Sequence, residues 1–225
     1  MTRVADEFHG LAEQAGYCLL KTKDVPWLSR YGHLNPEVRS GVPREVVQAL
    51  TRIFRLLDGD EGALAAKTRG TVRPDFLWPA RNLAVEVDEV QHFTRFRSRV
   101  LREYPPRVHL AFETQSYQQL CVSLQARAES AFAHAVAAEF PGAHSRARQR
   151  AYFDAVRDLC APSFTAGPVL RFPAPERDAQ LALARFSELA QPRQLVQPPA
   201  SGPPRIMRNY ANPLRRRPAP EQPGR

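Results

Sequence analysis

The chain has 225 residues, 43% of them hydrophobic, enough to bury a core as one domain or two. Its formal net charge of +9 rests almost wholly on arginine, since lysine occurs only at Lys21, Lys23 and Lys67. Three widely separated cysteines, Cys18, Cys121 and Cys160, lack any CxxC spacing, which argues against a disulfide framework and a structural zinc site.

The first residues are polar and lack the apolar stretch of a secretory leader. No apolar run nears the roughly 18 residues that cross a bilayer, so the expected location is the cytoplasm. Within residues 1–17, Phe8, Leu11 and Ala12 share one side of a short helix. Residues 18–42 show no period and read as irregular, partly packed by Trp27 and Leu28; residues 1–42 together read as an N-terminal extension. Pro43 then opens a helix in which Val46, Val47, Leu50, Ile53, Phe54 and Leu57 recur at helical spacing, with Gly59 past its end. From Thr71 the helical period gives way to alternation. Thr71–Pro79 predicts a strand, Pro79–Asn82 a turn, and Leu83–Val90 a second, Val-rich strand, together an antiparallel hairpin. Val108–Phe112, after two prolines, offers a third short strand. Residues 114–138 are helical, with Tyr117, Leu120, Cys121, Leu124, Ala128 and Phe132 on one side. Ser145 is placed to cap a helix over 146–161. Pro168–Phe172 reads as a strand, and Pro175 starts a last helix to about Ala190. Cys121 and Cys160 fall in apolar helical patterns and read as small buried hydrophobes. Residues 191–225 hold seven arginines and one glutamate, +6 of the total charge, with many prolines and few apolar residues, and are expected to be disordered. The fold class expected is mixed α/β: a small central sheet flanked by helices, with residues 43–190 as its domain.

The chemistry concentrates on the hairpin. Side chains alternate along a strand, so Leu83, Val85 and Val87 share one face while Ala84, Glu86 and Asp88 share the other. A short turn brings Asp75 of the preceding strand beside Glu86 and Asp88. Three convergent acids repel one another unless something compensates them, and a divalent cation, Mg²⁺ or Mn²⁺, is the natural candidate. Such a cation can activate water and steady a phosphoryl group. Gln91 and His92 follow at the strand end, placed to orient water or phosphate. The bland alternatives are a solvated acidic strand face and a turn role for Asp75 after Pro74.

With Asp75-Phe76, Glu86-Val87-Asp88 and Gln91-His92 in this order, the hairpin resembles the active site of the PD-(D/E)XK nuclease superfamily. It is most similar to the very-short-patch-repair-like branch and related bacterial families of unknown function. Their pattern is Asp-Phe, an apolar strand, then Glu-x-Asp-Gly-x-Gln-His. The later strand Val169–Phe172 also looks like that branch, with Arg171 at the matching place. The resemblance spans residues 44–173 in element order. It implies a restriction-endonuclease-like fold and hydrolysis of DNA phosphodiester bonds, with Asp75, Glu86 and Asp88 holding the metal and Gln91 and His92 joining them in catalysis. Two departures stand out: Asp88 occupies the place of the superfamily's usual lysine, and Glu89 stands where the pattern has glycine. Some members of the superfamily replace that lysine, and Lys67, Arg95 or Arg171 are candidates for a positively charged helper. The two departures also leave room for the alternative, a catalytically inactive nucleic-acid-binding module of the same fold. Glu45, early in the preceding helix, is an extra ligand candidate or simply an acid favoured by the helix dipole.

The remaining basic residues fit a nucleic-acid partner, which the resemblance implies is DNA. Arg95, Arg97, Arg99 and Arg102 follow the motif, interleaved with Phe93 and Phe96, and either track a phosphate backbone or form a basic surface loop. Arg148 lies in the run Arg146, Arg148, Arg150, Asp154, Arg157, Asp158, which reads as a salt-bridged solvated face or as phosphate contacts. A dimer is compatible with the sequence but not indicated by it.

Overall fold

The computed structural model describes residues 3–21, 25–67, 72–131 and 136–190, so the expected disorder of 191–225 lies outside the described residues. Four strands, β1 (Leu20–Lys21), β2 (Phe76–Trp78), β3 (Leu83–Asp88) and β4 (Leu170–Pro173), form one sheet in chain order. β2 and β3 make the expected antiparallel hairpin, with Phe76 opposite Val85 and Trp78 opposite Leu83. Asn82 closes its turn at φ +50°, a conformation Asn tolerates better than most residues. β4 lies parallel to β3, with Glu86 opposite Arg171. Parallel neighbours need a long crossover. Here it is helical: α5 (Arg95–Leu101), α6 (Thr114–Ser130) and α7 (Ser145–Phe164).

All six residues of β3 are buried, because helices cover both faces of the sheet. On one face α1 (Arg3–Gln14) and α8 (Ala179–Ala190) bring Phe8 and Phe186 against Leu83, Val85, Val87 and Phe172. On the other, α3 (Arg44–Leu56) and α7 pack Leu50, Ile53, Phe54 and Leu159 into a core shared with Leu77, Ala84 and Val169. The alternation in β3 thus sends its valines to the first face and its acids towards α7. The fold is mixed α/β with a small mixed sheet between helices, as the sequence leads one to expect.

Several elements differ from expectation. Residues 3–42 are no appendage: Val4, Ala5, Phe8 and Ala12 are buried against the sheet, β1 pairs with β2, and Trp27 stacks on Phe164 at 5.4 Å. The segment 18–42 also holds α2 (Pro36–Gly41), capped by Asn35, whose side chain accepts from the Glu37 N–H. A short helix α4 (Glu61–Ala65) follows α3. β2 is shorter than the expected strand, since β1 offers it only two partner residues and Pro74 has no N–H to donate. Val108–Phe112 forms no strand; Phe112 packs on Tyr117 at 5.0 Å instead. α6 ends at Ser130, and Phe132 lies outside the described residues. Ser145 does not cap α7: its hydroxyl donates to the Ala137 carbonyl and accepts from the Ala137 N–H. α8 starts at Ala179, where the Asp178 carboxylate accepts from the Leu181 N–H and Arg177 stands at φ +62°. Among the described residues no helix is long and apolar enough to cross a membrane.

Candidate active site

The hairpin ties Asp75 and Glu86 together. Asp75 stands just before β2, and its carboxylate accepts from the Val87 N–H at 2.9 Å. Its own N–H donates to Glu86 Oε1 at 3.3 Å. β3 carries Glu86 and Asp88 onto the face that α7 covers, and β4 adds Arg171 beside them. From α7, Asp154, Arg157 and Asp158 face the strands.

Arg171 organises the deep half of this cluster. Its Nη1 reaches Asp88 at 2.7 Å, its Nε reaches Asp158 at 2.6 Å and its Nη2 reaches Asp154 at 3.3 Å, all fully buried. One planar guanidinium with five donors is suited to serve three carboxylates at once. Arg97 adds a 2.5 Å contact to Asp158 and a 2.6 Å bond to the Tyr104 hydroxyl, and it lies over the Tyr117 ring at 5.3 Å. Tyr117 donates to the second oxygen of Asp88 at 2.5 Å. Arg150 donates to His92 Nε2 at 2.8 Å. An arginine has no acceptor, so the imidazole proton sits on Nδ1, 3.0 Å from Asp154 and 3.2 Å from Asp88.

The two halves differ electrostatically. Burial alone would raise Asp88 and Asp154, but Arg171 and His92 outweigh it and hold both carboxyls below their usual range. Glu86 goes the other way: burial pushes it up to about 8, against the pull of Arg157. Asp75 is also raised by burial, which its bond from Val87 only partly offsets. Arg157 Nε is 3.1 Å from Glu86 Oε1, an ion contact not aimed as a hydrogen bond, while its Nη1 serves Asp154 at 3.1 Å and its Nη2 the Arg73 carbonyl at 3.0 Å. Three aspartates, Asp88, Asp154 and Asp158, therefore face three arginines, Arg97, Arg157 and Arg171. Asp75 and Glu86 share only the contact from Arg157 Nε to Glu86, and both carboxyls are raised towards the protonated form.

Of the residues singled out in the sequence, Asp75, Glu86, Asp88 and His92 come together; Gln91 does not, because its amide donates to Glu89 at 2.9 Å. Arg171 joins the cluster, bound to carboxylates rather than facing a ligand. Arg97 and Arg148 are likewise corrected as nucleic-acid contacts. Arg97 is fully buried, and Arg148 ties the end of α3 to the next turns by donating to the Leu57 carbonyl at 3.0 Å and to that of Pro141. Arg95, Arg99 and Arg102 are exposed as expected, and Arg95 pairs with Glu129 at 3.5 Å. Lys67 is held by Glu139, away from the hairpin acids. Glu45 is an exposed first-turn residue of α3. The α7 charges were readable as a solvated face, yet Asp154 and Asp158 are buried. The missed signal was the apolar company of the two aspartates, Ala151, Tyr152, Phe153, Ala155, Val156 and Leu159, all of them buried.

Among the described residues, no three His, Cys, Asp or Glu side chains stand together as a metal cage. Asp88 does not fit a ligand role, since Arg171 and Tyr117 occupy its two oxygens. Asp75 and Glu86 do fit as a pair: adjacent carboxyls, one half-buried and one buried, both raised towards the protonated form, favour a cation that would offset their charge. Beside them opens a cleft of about 410 Å³, lined by Arg30, Lys67, Arg146, Arg150 and Arg157. Arg157 belongs to both. No family model matches the chain, and neither a curated protein nor a solved structure matches it significantly.

Proposed function

We propose that this chain is a Mg²⁺- or Mn²⁺-dependent nuclease of restriction-endonuclease-like fold that hydrolyses DNA phosphodiester bonds, with Asp75 and Glu86 as its two protein ligands. The observation that carries the reading is the Asp75–Glu86 pair, two adjacent carboxyls raised by burial that share one arginine contact, Arg157, whose side chain also lines the arginine-rich cleft. Mg²⁺ takes one or two carboxylates and keeps waters and substrate phosphate in its remaining positions. When bound, it would supply a Lewis acid and lower the pKa of a coordinated water. Arg157 would balance charge at the phosphoryl oxygens, the task for which the sequence offers no lysine. Arg171, fixed by three aspartates, would hold β3 and β4 in register behind the pair. His92, bound to Asp154, would stiffen the strand end and not act as a free base.

The second reading, a non-cleaving nucleic-acid-binding module, is favoured by one observation: Asp88 and Glu86 already have arginine partners. One experiment separates the two. Purified protein, Asp75→Asn and Glu86→Gln are incubated with plasmid, linear and single-stranded DNA in Mg²⁺, Mn²⁺ or EDTA, and their melting temperatures are followed with metal. The nuclease reading expects metal-dependent cutting that falls by more than about 100-fold in both variants, beyond the 10–100-fold typical of outer partners, and a metal-induced rise in Tm that both variants lose. Cutting that persists in both variants sinks the assignment. No cutting and no metal effect on Tm leaves the module.

A further inference from the structure

Among the described residues, two arginines of the cleft carry charge that no acidic side chain meets: neither Arg30 nor Arg146 has an ion-pair partner, whereas Lys67 is held by Glu139. Burial lowers the proton affinity of Arg146, and Arg150 and Arg30 lower it further, with Glu139 opposing. A cleft that gathers like charges at such a cost is built for an anion. A buried donor without a hydrogen-bond partner borders it: Arg157 Nε, 3.1 Å from Glu86 Oε1. Its volume, about 410 Å³, sits at the small end of enclosed ligand sites. That volume holds a short stretch of one nucleic-acid backbone, not two paired strands.

We propose that this cleft binds the phosphodiester backbone of one unpaired nucleic-acid strand, with Arg30 and Arg146 on its phosphates and Arg150 and Arg157 passing it towards Asp75 and Glu86. The inference rests on the nuclease reading only for what happens at the carboxyl pair; strand binding itself needs no metal. Arg150 also touches His92, so an occupied cleft is linked to the buried cluster through one side chain.

The test measures, in EDTA, the salt dependence of affinity for a fluorescent oligothymidylate and for a duplex of equal length. The full-length protein is compared with Arg30→Gln/Arg146→Gln, and with Arg95→Gln/Arg99→Gln, which removes two exposed arginines of α5. Both pairs are repeated with Arg215, Arg216 and Arg217 changed to Gln, so that non-specific attraction by the tail is subtracted. On a single strand, removing one arginine from a phosphate should lower the slope of log K against log salt by about 0.7. The cleft pair should therefore lower it by about 1.4 on the oligothymidylate, and much less on the duplex. The surface position of Arg30 and Arg146 makes folded variants the expectation, and circular dichroism checks this. An unchanged slope in the folded cleft variant overturns the proposal, as does an equal loss on the duplex or a loss confined to the α5 variant. Because the assay contains no metal, its failure would leave the Asp75–Glu86 reading standing, and a failed cleavage assay would leave this one standing.

Discussion

Glu86 keeps its proton to about pH 8 because its carboxyl is sealed between β3 and α7 with only Arg157 beside it. Unfolding returns it to a carboxyl of about 4.5, so the folded chain binds the extra proton between those values. Its contribution to stability is therefore complete below pH 4.5 and is lost as pH rises through 8. Glu86→Gln keeps the shape and removes the titration. It should make the metal-free protein less sensitive to pH between 5 and 9 and more stable above pH 8, by up to about 5 kcal/mol in urea unfolding. A Glu86→Gln curve parallel to that of the unsubstituted chain would contradict the burial argument. Asp88 and Asp154 work in the opposite sense: held low by Arg171 and His92, they contribute stability above the ordinary carboxylate range and lose it as pH falls. Side by side on one strand, Glu86 and Asp88 thus have opposite proton affinities. Sequence spacing put both on one face, but it held no sign of which one an arginine would reach.

At the scale of elements, α7 and β4 matter most. The motif residues lie on β2 and β3, yet their environment comes from Asp154, Arg157 and Asp158 on α7 and from Arg171 on β4. Replacing Arg171 with Leu would leave three buried aspartates without their shared cation, and removing one partner of a buried ion pair typically costs 3–5 kcal/mol. Chemical denaturation of Arg171→Leu should show a loss of at least about that size. Asp158→Asn, which keeps a hydrogen-bonding shape for Arg97, should cost less. Equal stability of the Arg171→Leu chain would mean that the network contributes little. The hairpin, α3 and β4 were legible because hydrophobic period and turn residues are local signals. β1 and α2 were not, since a two-residue strand exists only because β2 offers its edge. Val108–Phe112 is as apolar as a strand, but β3 already has β2 and β4 on its two edges.

Taken whole, the molecule is a sheet between two helical layers, and the first of them includes the N-terminal segment. Phe8 touches Phe76, Phe172 and Phe186, with ring centroids between 5.8 and 6.2 Å. Phe8→Ala should cost about 3–5 kcal/mol, the usual figure for a buried aromatic. A loss under about 1 kcal/mol would restore the view of this segment as an extension.

The sequence by itself determined the mixed α/β class, the hairpin, and the placing of Asp75, Glu86 and Asp88 on one side of it, because alternation and turn chemistry act between near neighbours. Only the tertiary structure decided what those acids are. Which arginine meets which carboxylate depends on how α7 and β4 dock over the strands, across more than sixty residues of chain. That docking neutralises Asp88 through Arg171, leaves Asp75 and Glu86 with raised proton affinity and one shared arginine, and sets that arginine, Arg157, in the wall of a cleft whose charge no local pattern announced.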